Sequence, residues 1–280
     1  MQDDLRFSED LRQLAAEASE LAGRFCGSCK NFHLLWPYLR LARASGGGVG
    51  APLIHSTLSC LLSRYGRKVL IAGCADTGLL AVVARAAVPG TDIIVLDRCE
   101  TPLELCRRFA RRWSLPIEIL HLDLSELAAQ SSFDVVFAHS LLQFIPAHHR
   151  LDVLSRIRRS LRADGRLVLL FRTGARIEGS LLPEYLDGYP KHLIEQLEGM
   201  NIELPESREA FRHRLEIYSE ERRAREGAHT SRAEVEQLIE AAGFWIEDLT
   251  PIEASMSEPF RQLAAKLTKQ RFLAIAKPRS

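Results

Sequence analysis

Hydrophobic positions fall along this chain in two rhythms. Leu11, Leu14, Ala15, Ala18, Leu21 and Ala22 recur every three or four residues, and the same spacing returns in Phe32, Leu35, Trp36, Tyr38 and Leu39. It returns once more from Leu53 to Tyr65, where Gly66 stops it. A period near 3.6 residues predicts three helices here, the second over Asn31 to Ala44, with Gly46-Gly47-Gly48 and Gly50 as a flexible loop after it. From Val69 onward the rhythm changes. Val69–Ala72, Ile93–Leu96, Ile117–Leu120, Phe133–Phe137 and Arg166–Phe171 are short, nearly continuous apolar runs of strand length. Helical stretches separate them. Leu79–Ala87 is broken by Pro89-Gly90. A helix running to about Trp113 opens at Thr101-Pro102-Leu103-Glu104, which reads as a capping box. Leu151, Leu154, Ile157 and Leu161 mark a third, closed by Ala163-Asp164-Gly165. Strands buried on both faces and alternating with helices predict an α/β fold, a mostly parallel sheet with helices on both faces.

After Phe171 the alternation stops for longer than an ordinary connection. Leu181 to Pro190 reads as a loop with a turn, and Glu206 to Glu226, dense in both charge signs, as an exposed helix. Ser231-Arg232-Ala233-Glu234 is a second capping box, and its helix ends at Ala242-Gly243. Strands Phe244–Leu249 and Phe272–Ala276 follow, with a helix from about Glu258 between them, which brings the sheet to seven strands. The expected organisation is a helical arm or lid over residues 1–66, a nucleoside-binding domain from 67–171 and 231–280, and a substrate cap inserted at 172–230.

Composition narrows the class. The 280 residues are 46% hydrophobic and 26% charged, which suits a soluble domain with a full core. A net charge of +1 gives no field to draw nucleic acid or a membrane surface, and the Arg-rich stretch Arg208–Arg225 is balanced by glutamates. No apolar run approaches the roughly 18 residues of a membrane span. The polar start MQDDLRFSEDLRQ is unlike a signal peptide, and the six scattered cysteines suit a reducing cytoplasm, so a cytoplasmic location is expected. Cys26-Gly27-Ser28-Cys29 is a lone CxxC with no second spaced pair, although His33 and Cys60 lie in the same arm. On spacing alone no metal is expected.

The organising stretch is Lys68 to Arg98: strand, glycine turn, helix, strand, then Asp97. Such a unit can hold a nucleoside. The glycines let the backbone turn and keep side chains away, the helix N-terminus offers free N–H groups, and the acid accepts from ribose hydroxyls. Val69 to Gly78, Asp97, Asp123-Leu124, Phe133–Phe137 followed by Leu141–Ile145, Leu161–Leu169 and Glu240-Ala241-Ala242-Gly243-Phe244 come in an order that resembles a class I S-adenosylmethionine-dependent methyltransferase over about residues 67–277. The resemblance implies the Rossmann-like fold of that family and S-adenosyl-L-methionine as cofactor. It puts Gly73, Cys74, Asp76 and Gly78 around the methionine part, Asp97 and Arg98 at the ribose, Asp123 and Leu124 at the adenine, and His139 and Ser140 beside the sulfonium. Two departures stand out. Ile71 occupies the place of the family's acid before the first glycine, and Ala75-Asp76 replaces the usual middle glycine with one residue more. Asp76 could then take over the missing acid's task.

His139, just past the fourth strand, is the candidate catalytic base, since an imidazole can take a proton from a hydroxyl or amine near neutral pH. Trp36, Tyr38, Gln143, Arg172 and Tyr185 are candidates for the acceptor pocket, with Tyr189 beside them. The expected activity is methyl transfer to an O or N atom of a small metabolite or natural product, with no nucleic-acid or membrane partner. The aromatic arm could equally pack on a second copy, as a homodimer. Two other classes stay open. A nicotinamide-dependent oxidoreductase would also use Gly73, Gly78 and Asp97, but G-x-G-x-x-G and Tyr-x-x-x-Lys are absent. A non-catalytic cofactor-binding relative would explain the altered turn.

Overall fold

The computed structural model describes residues 2–44, 51–128, 130–173, 182–226, 231–252 and 270–279. The glycine-rich loop and the helix expected from Glu258 lie outside them. The strands are β1 (Lys68–Ala72), β2 (Asp92–Asp97), β3 (Ile117–His121), β4 (Phe133–His139), β5 (Leu161–Thr173), β6 (Phe244–Ile252) and β7 (Gln270–Pro278). They form one sheet in the order β3-β2-β1-β4-β5-β7-β6. The pairs from β3 to β5 are parallel, and β7 runs antiparallel to both its neighbours. The chain winds outward in opposite directions from β1, so a crevice opens at the carboxyl ends of β1 and β4, where such sheets receive ligands.

Alternation along the central strands sets the two cores. Val69, Ile71, Val95, Val135 and Phe137 face α1 (Gln2–Phe25), α3 (Ala51–Tyr65), α4 (Gly78–Ala86) and α5 (Glu100–Trp113). Leu70, Ala72, Ile94, Val136 and Leu169 face α6 (Arg150–Ser160) and α9 (Arg232–Ala241). A third core joins the arm to the insertion. Leu35, Tyr38 and Leu39 of α2 (Lys30–Ala44) pack with Leu193 and Leu197 of α7 (Leu182–Gly199) and with Phe211 and Leu215 of α8 (Arg208–Glu226). Arm and insertion therefore make one helical layer. It reaches the carboxyl edge through Phe32, whose ring lies 5.1 Å from that of Phe144 just beyond β4.

Three local expectations change. The box at Thr101 does not cap: α5 starts earlier, with Cys99 as its N-cap, and the Thr101 hydroxyl donates to the Leu21 carbonyl instead. A buried threonine facing another helix satisfies its hydroxyl there. Residues 182–190, expected as a loop, continue as the first half of α7, with Pro183 in the first turn where its missing N–H is no loss. Ala163-Asp164-Gly165 does not end α6. The helix closes at Ser160, and these residues bulge inside β5, whose register jumps from Leu161 opposite Phe133 to Arg166 opposite Val135. The box at Ser231 is present in full: its hydroxyl accepts from the Glu234 N–H while Glu234 accepts from the Ser231 N–H.

Candidate functional site

Asp97 ends β2 with both carboxylate oxygens turned inward. Oδ2 accepts the Cys74 N–H and Oδ1 the Cys99 N–H, each at 2.8 Å. Burial raises its pKa, and the two amides oppose that shift. The glycine turn is thus fastened to the acid across the strand ends, and the Gly73 N–H adds a bond to the Leu96 carbonyl at 2.8 Å. Gly73 has φ +79°, a backbone that side chains resist. Cys74 turns its own thiol inward toward Cys106, which, with burial, pushes its pKa well up.

Asp76 is 3% exposed, and each of its carboxylate oxygens has one partner. Its Oδ1 caps α4 by accepting the Gly78 N–H at 2.7 Å, and its Oδ2 receives Nε of Arg40 from α2 at 2.5 Å. Gly78 leaves room that the sequence concealed: a Cβ there would lie 2.8 Å from Cδ of Arg40 and 2.9 Å from Oδ1 of Asp76, so either side chain would have to move. The space the second glycine leaves open is filled by the chain's own arm. Arg40 was not a candidate from sequence. Its signal was the acid of Asp76 in an apolar turn, which demanded a cation partner.

At the neighbouring tip, Asp97 pairs with His121, and the Leu122 N–H donates to the Asp97 carbonyl at 3.2 Å. Asp123 therefore follows on the same edge. Its Oδ1 accepts both the backbone and the hydroxyl of Ser125, capping a short turn, and its carboxyl pKa is lowered, with burial opposing the Ser125 bonds and the Arg98 charge. Leu124 is buried beneath it. A cleft of about 900 Å³ opens beside these residues, lined by Ser28, Arg98, Glu100, Arg107 and His121 among others.

His139 ends β4. Burial, with the Arg271 and Arg172 charges, pushes its imidazole down to about 4. It is therefore neutral at physiological pH and a weak base. Ser140 follows with φ +54° and donates its N–H to the Leu170 carbonyl. Arg172 donates to the Gln143 side chain, so these two acceptor-pocket candidates meet. Trp36 stacks on Phe32 at 5.5 Å. Tyr38 departs from expectation. It is 1% exposed, its ring 5.5 Å edge-on to Phe211, inside the helical layer. An aromatic residue at helical spacing belongs to the core before it belongs to a ligand. Tyr185 and Tyr189 lie in α7, with side chains outside the described set. The lone CxxC acquires company: Cys26, Cys29, His33 and Cys99 bring one ligand atom each within 4.8 Å of the others. Cys60 stands apart and exposed. Among the described residues no helix is long and apolar enough to cross a membrane.

Comparison with known proteins adds the following. Residues 69–165 match a family model described as a methyltransferase domain. A carboxy-S-adenosyl-L-methionine synthase of Pseudomonas putida (strain GB-1) is 30% identical over 186 residues, covering 59% of this chain and 75% of the relative. The protein of that name from Glaesserella parasuis serovar 5 is 33% identical over 122 residues, 41% of this chain and only 50% of the relative. The chain thus spans between half and three quarters of these relatives. Among solved structures, the 1,6-didemethyltoxoflavin-N1-methyltransferase of Burkholderia thailandensis, with 1,6-didemethyltoxoflavin and S-adenosylhomocysteine bound, is similar in fold. Its TM-score is 0.53 at 15% identity, covering 88% of this chain and 85% of that one.

Proposed function

We propose a function from one premise: this chain belongs to the class I S-adenosylmethionine-dependent methyltransferase family. It transfers a methyl group from S-adenosyl-L-methionine to an oxygen or nitrogen atom of a small metabolite. The observation that carries this reading is the Asp97 carboxylate, locked beside the glycine turn by the Cys74 and Cys99 amides. Each oxygen has accepted one N–H and keeps a lone pair for a ribose hydroxyl. The residues fit the cofactor at its other parts too. Asp123 and Leu124, with Arg98 near them, border the adenine side. The Arg40–Asp76 pair offers a cation and an anion where an amino acid's carboxylate and ammonium would meet the turn. When bound, the cofactor supplies a sulfonium-activated methyl group.

The chain's own part is to orient the acceptor and exclude water. His139, neutral and half-buried, suits a hydrogen-bond acceptor that aims the nucleophile better than it suits a strong base. Arg172 and Arg271 beside it favour an acceptor that carries a negative charge. Gln143 and Trp36, and Tyr185 from α7, are the proposed remaining contacts. Tyr38 supports them from within the layer.

Calorimetric titration tests the reading. Wild-type protein should bind S-adenosylmethionine and S-adenosylhomocysteine and ignore NADH. Asp97→Asn, which puts an N–H where a lone pair is needed, should weaken both by more than tenfold, about 1.4 kcal/mol. Binding of NADH alone would overturn it, and tight sulfonium binding without turnover on any acceptor would leave a non-catalytic relative. The curated relatives' name supplies a second reading, in which the sulfonium nucleoside is itself carboxylated. Mass analysis of the nucleoside after turnover separates the two: S-adenosylhomocysteine for methyl transfer, a heavier sulfonium for carboxylation.

A further inference from the structure

We propose that Cys26, Cys29, His33 and Cys99 form a closed, four-coordinate zinc site that fastens the helical arm to the tip of β2. The four come from three places. Cys26 and Cys29 occupy the turn between α1 and α2, His33 lies one turn into α2, and Cys99 caps α5. The spacing Cys-x-x-Cys-x-x-x-His supplies three ligands and looks incomplete in sequence, because the fourth is 66 residues beyond the histidine.

The distances match the chemistry. Tetrahedral zinc, with bonds of about 2.3 Å to sulfur and about 2.0 Å to nitrogen, holds its sulfurs about 3.8 Å apart and sulfur from nitrogen about 3.5 Å. Here Cys26 Sγ lies 3.5 Å and Cys29 Sγ 3.7 Å from Cys99 Sγ. Nδ1 of His33 lies 3.3 Å from Cys26 Sγ and 3.4 Å from Cys99 Sγ. Four of the six edges of the group thus have the lengths this ion needs, and the remaining two, from Cys29 to Cys26 and to His33, lie within 4.8 Å. These sulfur separations are far beyond the 2.05 Å of a disulfide bond. Three soft thiolates and one imidazole, with no carboxylate among them, select zinc over the hard cations. Four protein ligands leave no position for water, so the site is structural and not hydrolytic.

The surroundings complete it. The Thr101 hydroxyl stands 3.0 Å from Cys26 Sγ; its single proton goes to the Leu21 carbonyl while Cys26 is a thiol, and turning it to the sulfur would make it a second-layer donor for a thiolate. Cys29 immediately precedes the first residue of α2, where the helix dipole favours a negative sulfur. His33 and Cys99 are buried, and Cys26 and Cys29 partly so. Binding is balanced in protons: Zn²⁺ displaces three thiol protons to solvent and meets a neutral imidazole, leaving one net negative charge. The inference stands apart from the cofactor reading, because the ligands and their geometry would be the same in a chain with any activity. Its consequence does touch that site, since Cys99 follows Asp97 by two residues and its N–H holds the Asp97 carboxylate.

Metal analysis of the 280-residue chain, purified under reductant from cells supplied with zinc and without chelator, is the test. About one zinc per chain should survive gel filtration. Reconstitution with Co²⁺ should give the visible bands of a tetrahedral centre and thiolate charge transfer in the near ultraviolet. Cys60→Ser, outside the cluster, should keep both signals, and Cys29→Ser and Cys99→Ser should lose the zinc. Serine variants can misfold, so the wild-type readings decide: folded wild-type protein with no zinc and no cobalt bands would overturn the site. So would a disulfide within the cluster in its place, seen as a loss of two mass units.

Discussion

His139 shows how far one residue's identity is from its role. In the unfolded chain its imidazole titrates near 6.5, and in the fold burial and the charges of Arg271 and Arg172 bring it down to about 4. The folded state therefore binds its proton less readily than the unfolded one. The stability this gives is whole above about pH 6.5 and is lost as pH falls toward 4. Between about pH 7.5 and 5.5 that loss comes to about 1.3 kcal/mol. Urea unfolding of His139→Gln should fall by that much less than the wild type over this interval. Parallel curves for the two proteins would mean the imidazole is not shielded as described.

At the scale of elements, the junction of α2 with the glycine turn is decisive. Asp76 joins the Gly78 N–H and the Arg40 guanidinium, and Arg40 fills the space a side chain at position 78 would need. If this pair receives the amino-acid end of the cofactor, Arg40→Ala should weaken S-adenosylhomocysteine binding by tenfold or more, about 1.4 kcal/mol. Binding of 5′-methylthioadenosine, which lacks that end, should be unchanged, and it reports at the same time that the turn is still folded. Equal losses for both ligands would make the pair a structural clamp alone.

On the scale of the whole molecule, arm and insertion stand or fall together. Phe211, fully buried, carries the contact between α8 and Tyr38 of α2. Phe211→Ala should cost about 3–5 kcal/mol in that layer. Limited proteolysis should then cut α2 and α8 well before the sheet, and an unchanged cleavage pattern would show that the layer holds by other contacts.

The seven strands, their helices and the glycine turn were legible in sequence because their signals are local: apolar runs of fixed length, punctuated by glycine and proline. The positions of Asp97 and Asp123 were legible because the first ends such a run and the second follows one by two residues. Residues 182–190, read as a loop, failed locally, and the other failures depended on a partner distant in the chain. Thr101 looked like a cap until Leu21 and Cys26 stood beside it, and Tyr38 looked like a pocket wall until Phe211 covered it. Sequence by itself thus determined the order of elements, their apolar faces and the acids at the strand tips, since period and length are properties of neighbours along the chain. Only tertiary structure decided that Arg40 closes over Gly78, that Cys99 joins Cys26, Cys29 and His33, and that arm and insertion share one core. Those are meetings across tens of residues, fixed by packing, and no local pattern encodes them.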